Sequence, residues 1–140
     1  MLLYPNAKIN IGLNITEKLK SGYHNIESCF CPVSLFDIIE VKESVTSELI
    51  ETGIPIKCKE EDNLILKVLN NLPQRKNYNI HLHKNIPIGS GLGGGSSDSA
   101  ILLKYLNAEN GSKLSKKNLY SIANRIGSDC PFFIDNKIKY

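Results

Sequence analysis

The sequence predicts an α+β fold: several strands first, then helices gathered around a phosphate-binding loop. Three observations carry this. Ile9, Ile11, Leu13 and Ile15 alternate with Lys8, Asn10, Gly12 and Asn14, the period of two that marks a strand. Leu64, Ile65, Val68, Leu69 and Leu72, and later Leu119, Ile122, Ala123 and Ile126, recur at helical spacing. Between them runs PIGSGLGGGSSDSA, from Pro87 to Ala100, with Gly89, Gly91, Gly93, Gly94 and Gly95 packed into seven residues. At 140 residues the chain suits one domain with a real core.

The first strand presents one apolar face, so Lys8 and Asn10 project together from the other. Lys-Ser-Gly within Leu19–Tyr23 signals a turn. Ile26 to Val41 reads as one or two strands broken near Pro32, and Val45 to Cys58 as short strands around Gly53 and Pro55. Asp62 or Asn63 caps the first helix and Pro73 ends it. Tyr78, Ile80 and Leu82 alternate with Asn79, His81 and His83, a strand leading into the glycine loop; the two histidines read as its polar face. A helix follows from about Ser97 to Leu106, with Asp98 in its first turn, then a loop over Asn107–Gly111. Ser115 caps the next helix and Gly127 stops it. Pro131 to Ile134 reads as a short buried strand.

Composition sets bounds on function. Hydrophobic content of 41% and charged content of 22% fit a folded globular chain. The net charge of +3 comes from scattered lysines and arginines, which gives no case for nucleic acid and suits a small anionic ligand. No segment reads as a signal peptide or a membrane span. Cys29, Cys31, Cys58 and Cys130 lack framework or zinc spacing and read as reduced thiols, the pattern of a cytoplasmic protein.

The glycine loop carries the chemistry. Glycine at this density lets the backbone take positive φ and approach a ligand closely. Bare amides ending at a helix N-terminus make an anion site, and a nucleotide phosphate is the natural anion. A Walker A loop needs Lys after its last glycine, and here Ser96 follows Gly95. A dinucleotide fingerprint is formally present as Gly89, Gly91 and Gly94, but its acidic partner would be Glu109, in a polar stretch after a helix. An ordinary turn needs only one or two glycines.

PxGxGLGGGSSD resembles the phosphate loop of the GHMP kinases, named for galactokinase and the homoserine, mevalonate and phosphomevalonate kinases. NAKINIGLNI (Asn6–Ile15), SGYHNIES (Ser21–Ser28), EDNLI (Glu61–Ile65) and IGSDCPFF (Ile126–Phe133) are similar to the family's other motifs, in the family's order. They are closest to the members that phosphorylate the 2-hydroxyl of 4-diphosphocytidyl-2-C-methyl-D-erythritol with ATP, in non-mevalonate isoprenoid precursor synthesis. The resemblance implies a ribosomal protein S5 domain 2-like N-terminal domain over 1–140, a mixed sheet packed against helices. Family members are roughly twice as long and carry a second glycine-rich motif near their end, so a C-terminal half is the expected missing partner. Two other readings stay open: another small-molecule kinase of the family, or a non-catalytic nucleotide-binding fragment that needs a C-terminal partner chain.

Residue by residue, the resemblance implies that Asp129 takes the proton of the attacking hydroxyl and that Lys8 pairs with it and offsets charge on the transferred group. Asn10 would hydrogen-bond the substrate, Tyr23 and His24 would hold its cytidine, and Phe30 would close over it. Asn63, Leu64 and Lys84 fall near adenine and ribose. Pro87, Gly89, Gly91, Leu92, Gly93, Gly94, Gly95, Ser96 and Ser97 form the phosphate cradle, with Ser97 approaching Mg²⁺, the expected companion of ATP. From the residues alone, Asp129 is equally a turn or cap residue, Asn63 a helix cap, Lys84 a surface charge, and Ser96 and Ser97 plain N-cap serines.

Overall fold

The computed structural model describes residues 1–18, 22, 24–72, 76–109 and 114–140, with the backbone alone at 24 and 26. The strands are β1 (Leu2–Leu3), β2 (Asn6–Lys18), β3 (His24–Phe36), β4 (Ile38–Ser44), β5 (Glu48–Gly53) and β6 (Asn77–Lys84). The helices are α1 (Leu64–Asn71), α2 (Gly94–Glu109), α3 (Lys116–Ile126) and α4 (Cys130–Asp135). Four strands form one sheet in the order β1-β4-β6-β5, while β2 and β3 make a separate antiparallel ribbon. The β5–β6 pair is parallel and the other pairs antiparallel, so the sheet is mixed, as the family resemblance implies.

Alternation on β4 and β6 turns Ile39, Val41, Tyr78, Ile80 and Leu82 to one side. There they meet Ile65 and Val68 of α1, Leu102, Leu103 and Leu106 of α2, Ile122 and Ile126 of α3, and Phe133 of α4. Helix α2 is buried through most of its length, so it is the axis on which the other helices pack. None of the described helices is long and apolar enough to cross a membrane.

Several boundaries differ from expectation. Residues 131–134 lie within helix α4, not a strand. A short apolar run is ambiguous by periodicity, and Pro131 at the first helical turn fixes φ for a helix. Helix α2 starts earlier than expected, at Gly94, and absorbs Asn107–Glu109. The Asn107 side chain stays near the helix end, its Oδ1 accepting the Leu114 amide at 2.9 Å. Pro32 sits inside β3, and the break falls at Asp37 instead. Each strand of a two-stranded ribbon has an open edge, where a residue without an N–H is tolerated. Gly127 stops α3 with an extended backbone, φ −173°, rather than a left-handed one. Of the predicted turn over 19–23, only Gly22 lies within the described residues, at φ +88°. Pro73, Asn110 and Gly111 also lie outside them.

The largest departure concerns β2. Its apolar face, Ile9, Ile11, Leu13 and Ile15, is exposed, while Lys8 on the polar face is buried. Burial does not alternate along the strand: residues 6–8 are buried together, Asn10 is half-buried, and 11–18 are exposed on both faces.

Candidate active site

Strand β6 delivers the chain to the glycine loop. The amides of Asn85 and Ile86 donate to Asp37 Oδ1 at 2.6 and 2.8 Å, fixing where the loop begins. Gly89, Gly91 and Gly93 then take φ of +72°, +77° and +71°, which a side chain would resist. The Ser90 hydroxyl donates to the Pro87 carbonyl at 2.6 Å, closing the turn. The first helical bond of α2 runs from the Ser97 amide to the Gly93 carbonyl, 2.9 Å. The amides of Gly94, Gly95 and Ser96 therefore precede the ladder, at the positive end of a long helix. Open space surrounds Gly89 and Gly91, whereas a Cβ on Gly94 would lie 2.8 Å from Ile86 Cγ2.

The ribbon reaches this loop through its backbone: the Lys8 amide donates to the Leu92 carbonyl at 2.9 Å. The Lys8 side chain lies against Gly93, where a Cβ would be 3.2 Å from Lys8 Cγ. Its ammonium donates to Asn10 Oδ1 at 2.5 Å, lies 4.9 Å from the centre of the Phe30 ring, and stands 3.4 Å from Asp129 Oδ2. Asn10 in turn donates to Ser28 Oγ at 3.0 Å, so β3 orients the amide that holds Lys8. The short turn between α3 and α4 brings Asp129 to the loop. Asp129 is the N-cap of α4, yet its carboxylate makes no capping bond and is a third exposed. Asp129 thus occupies a turn and cap position, as the alternative has it, but its side chain is left for Lys8 rather than for the helix.

Asn63 does cap α1, its Oδ1 accepting from the Ile65 and Leu66 amides, while its Nδ2 donates to Glu51 at 2.8 Å. Lys84 is not a surface charge. It is 2% exposed and donates to Asp37 Oδ2 and, at 2.8 Å, to Asp98 Oδ2. Burial pushes the Asp98 carboxyl up to about 7, against the pull of Lys84. Burial likewise raises the Cys130 thiol, to about 11, so it stays protonated beside Ser96.

A cavity of about 380 Å³ runs along these groups. Asn63, Leu64, Lys84, Pro87, Gly89, Gly91, Gly93, Gly94, Gly95, Ser96 and Asp129 line it. Leu92 meets β2 instead, and Ser97 Oγ is buried without a partner just behind the cradle. Asn10 and Phe30 touch the Lys8 ammonium and do not line the cavity. Tyr23 lies outside the described residues, and only the backbone of His24 is described, paired with Lys18. Sequence reasoning missed Asp37 entirely and read Asp98 as a first-turn acid, whereas it lies beyond that turn and pairs with Lys84. It also missed Ile56, Cys58 and Asp62 on the cavity wall and Ser28 behind Asn10. An aspartate directly after a strand was the available signal for Asp37.

The mixed sheet, the glycine cradle and its opposed Lys–Asp pair define a class. Residues 63–137 match the family described as GHMP kinases N terminal domain, more than half of the chain, and the chain belongs to that family. Among curated relatives, it is similar to the 4-diphosphocytidyl-2-C-methyl-D-erythritol kinase of Azobacteroides pseudotrichonymphae genomovar. CFP2, 47% identical over 98% of this chain and 52% of the relative. The enzyme of that name from Parabacteroides distasonis is 47% identical over 97% of this chain and 51% of the relative. A crystal structure of 4-(cytidine 5'-diphospho)-2C-methyl-D-erythritol kinase superposes with a TM-score of 0.77 at 35% identity, covering 96% of this chain and 48% of that one. The chain spans about half the length of the curated relatives it matches.

Proposed function

We propose that this chain supplies the nucleotide cradle and the reactive pair of a kinase that transfers the γ-phosphoryl of ATP to the 2-hydroxyl of 4-diphosphocytidyl-2-C-methyl-D-erythritol. The observation that carries the reading is the Lys8–Asp129 pair, 3.4 Å apart, with Asp129 on the wall of the glycine-lined cavity and Lys8 against Gly93. Phosphoryl transfer asks a protein chiefly for positioning and charge neutralisation. The loop amides, above all those of Gly94, Gly95 and Ser96 ahead of the helical ladder, receive the α- and β-phosphates, with adenine and ribose along Asn63, Leu64 and Lys84. Asp129, free of any capping bond, accepts the hydroxyl proton. Lys8, held by Asn10 and by the Phe30 ring, keeps its cation beside the incoming oxygen. Asn10 and Phe30 face the alcohol, and Tyr23 and His24 take its cytidine end.

Among the described residues no group of three or more His, Cys, Asp or Glu could hold a metal ion. The donors present fit an ion carried in mainly by phosphate oxygens: one half-open carboxylate, Asp129, and the partnerless Ser97 hydroxyl. Mg²⁺ bound there would screen phosphate charge. Residues 1–140 act as the N-terminal domain, and the second half found in the relatives is the proposed partner that completes the site.

The test is Asp129→Ala in a protein carrying both halves. Turnover is expected to fall by about 10²-fold or more while nucleotide affinity changes little. Retained turnover overturns the base assignment. Failure of CDP or CMP to compete with substrate would favour a different alcohol.

A further inference from the structure

The ribbon holds the Lys8 ammonium through a short relay of side chains. Lys8 and Asn10 alternate along β2, and Pro32, Phe30 and Ser28 alternate along β3, with Pro32 across from Lys8 and Phe30 across from Asn10. These side chains therefore share one face of the ribbon. A bulge between Ile11 and Leu13, with Gly12 at φ +65°, pins that register and sets Ser28 across from Leu13. Lys8 and Ser28 are both buried. The ammonium donates to Asn10 Oδ1 at 2.5 Å, and Asn10 Nδ2 donates to Ser28 Oγ at 3.0 Å.

Chemistry fixes the polarity of this relay. An ammonium only donates, so the carboxamide must offer it oxygen, and the NH2 then needs an acceptor on the other side. A carboxamide keeps nearly the same outline when its oxygen and nitrogen exchange places, so shape alone does not hold it. Among the described residues, Ser28 is the side chain that takes the Asn10 NH2. The Lys8 ammonium stands 3.4 Å from Asp129 Oδ2, beyond the roughly 2.7–2.9 Å of a charge-assisted hydrogen bond. Asn10 draws the cation aside and leaves the carboxylate open to a proton.

We propose that Ser28 is a positioning residue for phosphoryl transfer: its hydroxyl locks the Asn10 amide with the oxygen toward Lys8, and so keeps the ammonium beside Asp129 without closing on it. This rests on the reading of Lys8 and Asp129 as the reactive pair. Without the Ser28 oxygen the amide is free to turn. An NH2 facing the ammonium sets donor against donor, and Lys8 then closes on Asp129, the carboxylate that receives the hydroxyl proton. Ser28 does not line the nucleotide cavity, so its effect falls on turnover and not on ATP binding.

The experiment is a double-mutant cycle in a protein carrying both halves: Ser28→Ala, Asn10→Ala and the two together. Ser28→Ala is expected to lower kcat by roughly tenfold while KM for ATP changes by less than about twofold. Ser28→Thr keeps the oxygen and is expected to restore kcat to within about threefold of the unaltered protein. In the Asn10→Ala background, Ser28→Ala is expected to cost nothing further, because Ser28 acts through Asn10. Equal losses from Ser28→Ala in both backgrounds, or no loss in either, overturn the inference. Ser28→Cys, which fills the same space with a weak acceptor, replaces the alanine variant if that one does not fold, with the same outcomes. Asp129→Ala in the same assay separates the two readings. If it retains turnover, the reactive pair itself is misassigned; if it loses turnover while Ser28→Ala loses none, only the role of Ser28 fails.

Discussion

Gly93 and Gly94 are the loop positions where a methyl group has nowhere to go. At Gly93 a Cβ would meet the Phe133 ring at 3.1 Å, at Gly94 it would meet Ile86 and the Lys84 ammonium, and at Gly91 it would meet nothing within 4 Å. Two substitutions therefore separate two reasons for glycine. Gly94→Ala is expected to cost about 1–3 kcal/mol from overpacking, read as a lower urea midpoint, and to displace the start of α2. Gly91→Ala, at φ +77°, is expected to cost about 1 kcal/mol through the backbone alone. Equal costs would mean that packing does not distinguish the two positions. The identity of the loop was legible in its letters, because glycine density and spacing are local. The burial of Lys84 was not: its charge gave no sign that Asp37 and Asp98, distant in the chain, would enclose it.

Elements meet through a few polar ties that sequence patterns do not encode. Asp135 on α4 receives Lys116 at 2.7 Å and Tyr120 at 2.5 Å from α3, and Lys139 at 2.7 Å from the tail. Lys116 first, then Lys139 and Tyr120, hold its carboxyl far below the usual carboxylate range. A depressed folded value means the stabilisation is present above the unfolded value of about 3.9 and is lost as pH falls below it. Asp135→Asn is accordingly expected to lower the melting temperature at neutral pH, with the gap closing in acid and narrowing in salt. At the start of α1, Asn63→Ala removes the cap and is expected to cost about 1 kcal/mol in denaturant unfolding. Helix α1 and its cap were readable because both signals lie within the element. Helix α4 was misread as a strand because four apolar residues show no period, and Pro131 in the first turn together with packing on Phe30 and α2 decides the matter.

At the scale of the molecule, pH acts through burial. Asp98, raised from 3.8 to about 7, contributes stability that is full below the unfolded value and is lost as pH rises through the folded one. Unfolding midpoints should therefore decline between about pH 4 and 7 in the unaltered chain, and Asp98→Asn should flatten that decline. The β2–β3 ribbon is written in core residues yet turns Leu13 and Ile15 outward, each 60% exposed. Their change to Thr is expected to shift stability by less than about 0.5 kcal/mol, as at any open surface position. That β2 is a strand could be read from the sequence, but not that residues 11–18 would be exposed on both faces, because the ribbon stands apart from the main sheet. Backbone bonds orient it at two places: Phe30 with Lys139 of the tail, and Lys8 with Leu92 of the loop. The bond to the loop has a practical corollary for protein engineering. The segment from Pro87 to Ala100 is not a portable cassette: its hollows are shaped from outside by Lys8, Lys84, Ile86 and Phe133. Grafted onto a foreign scaffold, it would carry its glycines and leave its mould behind.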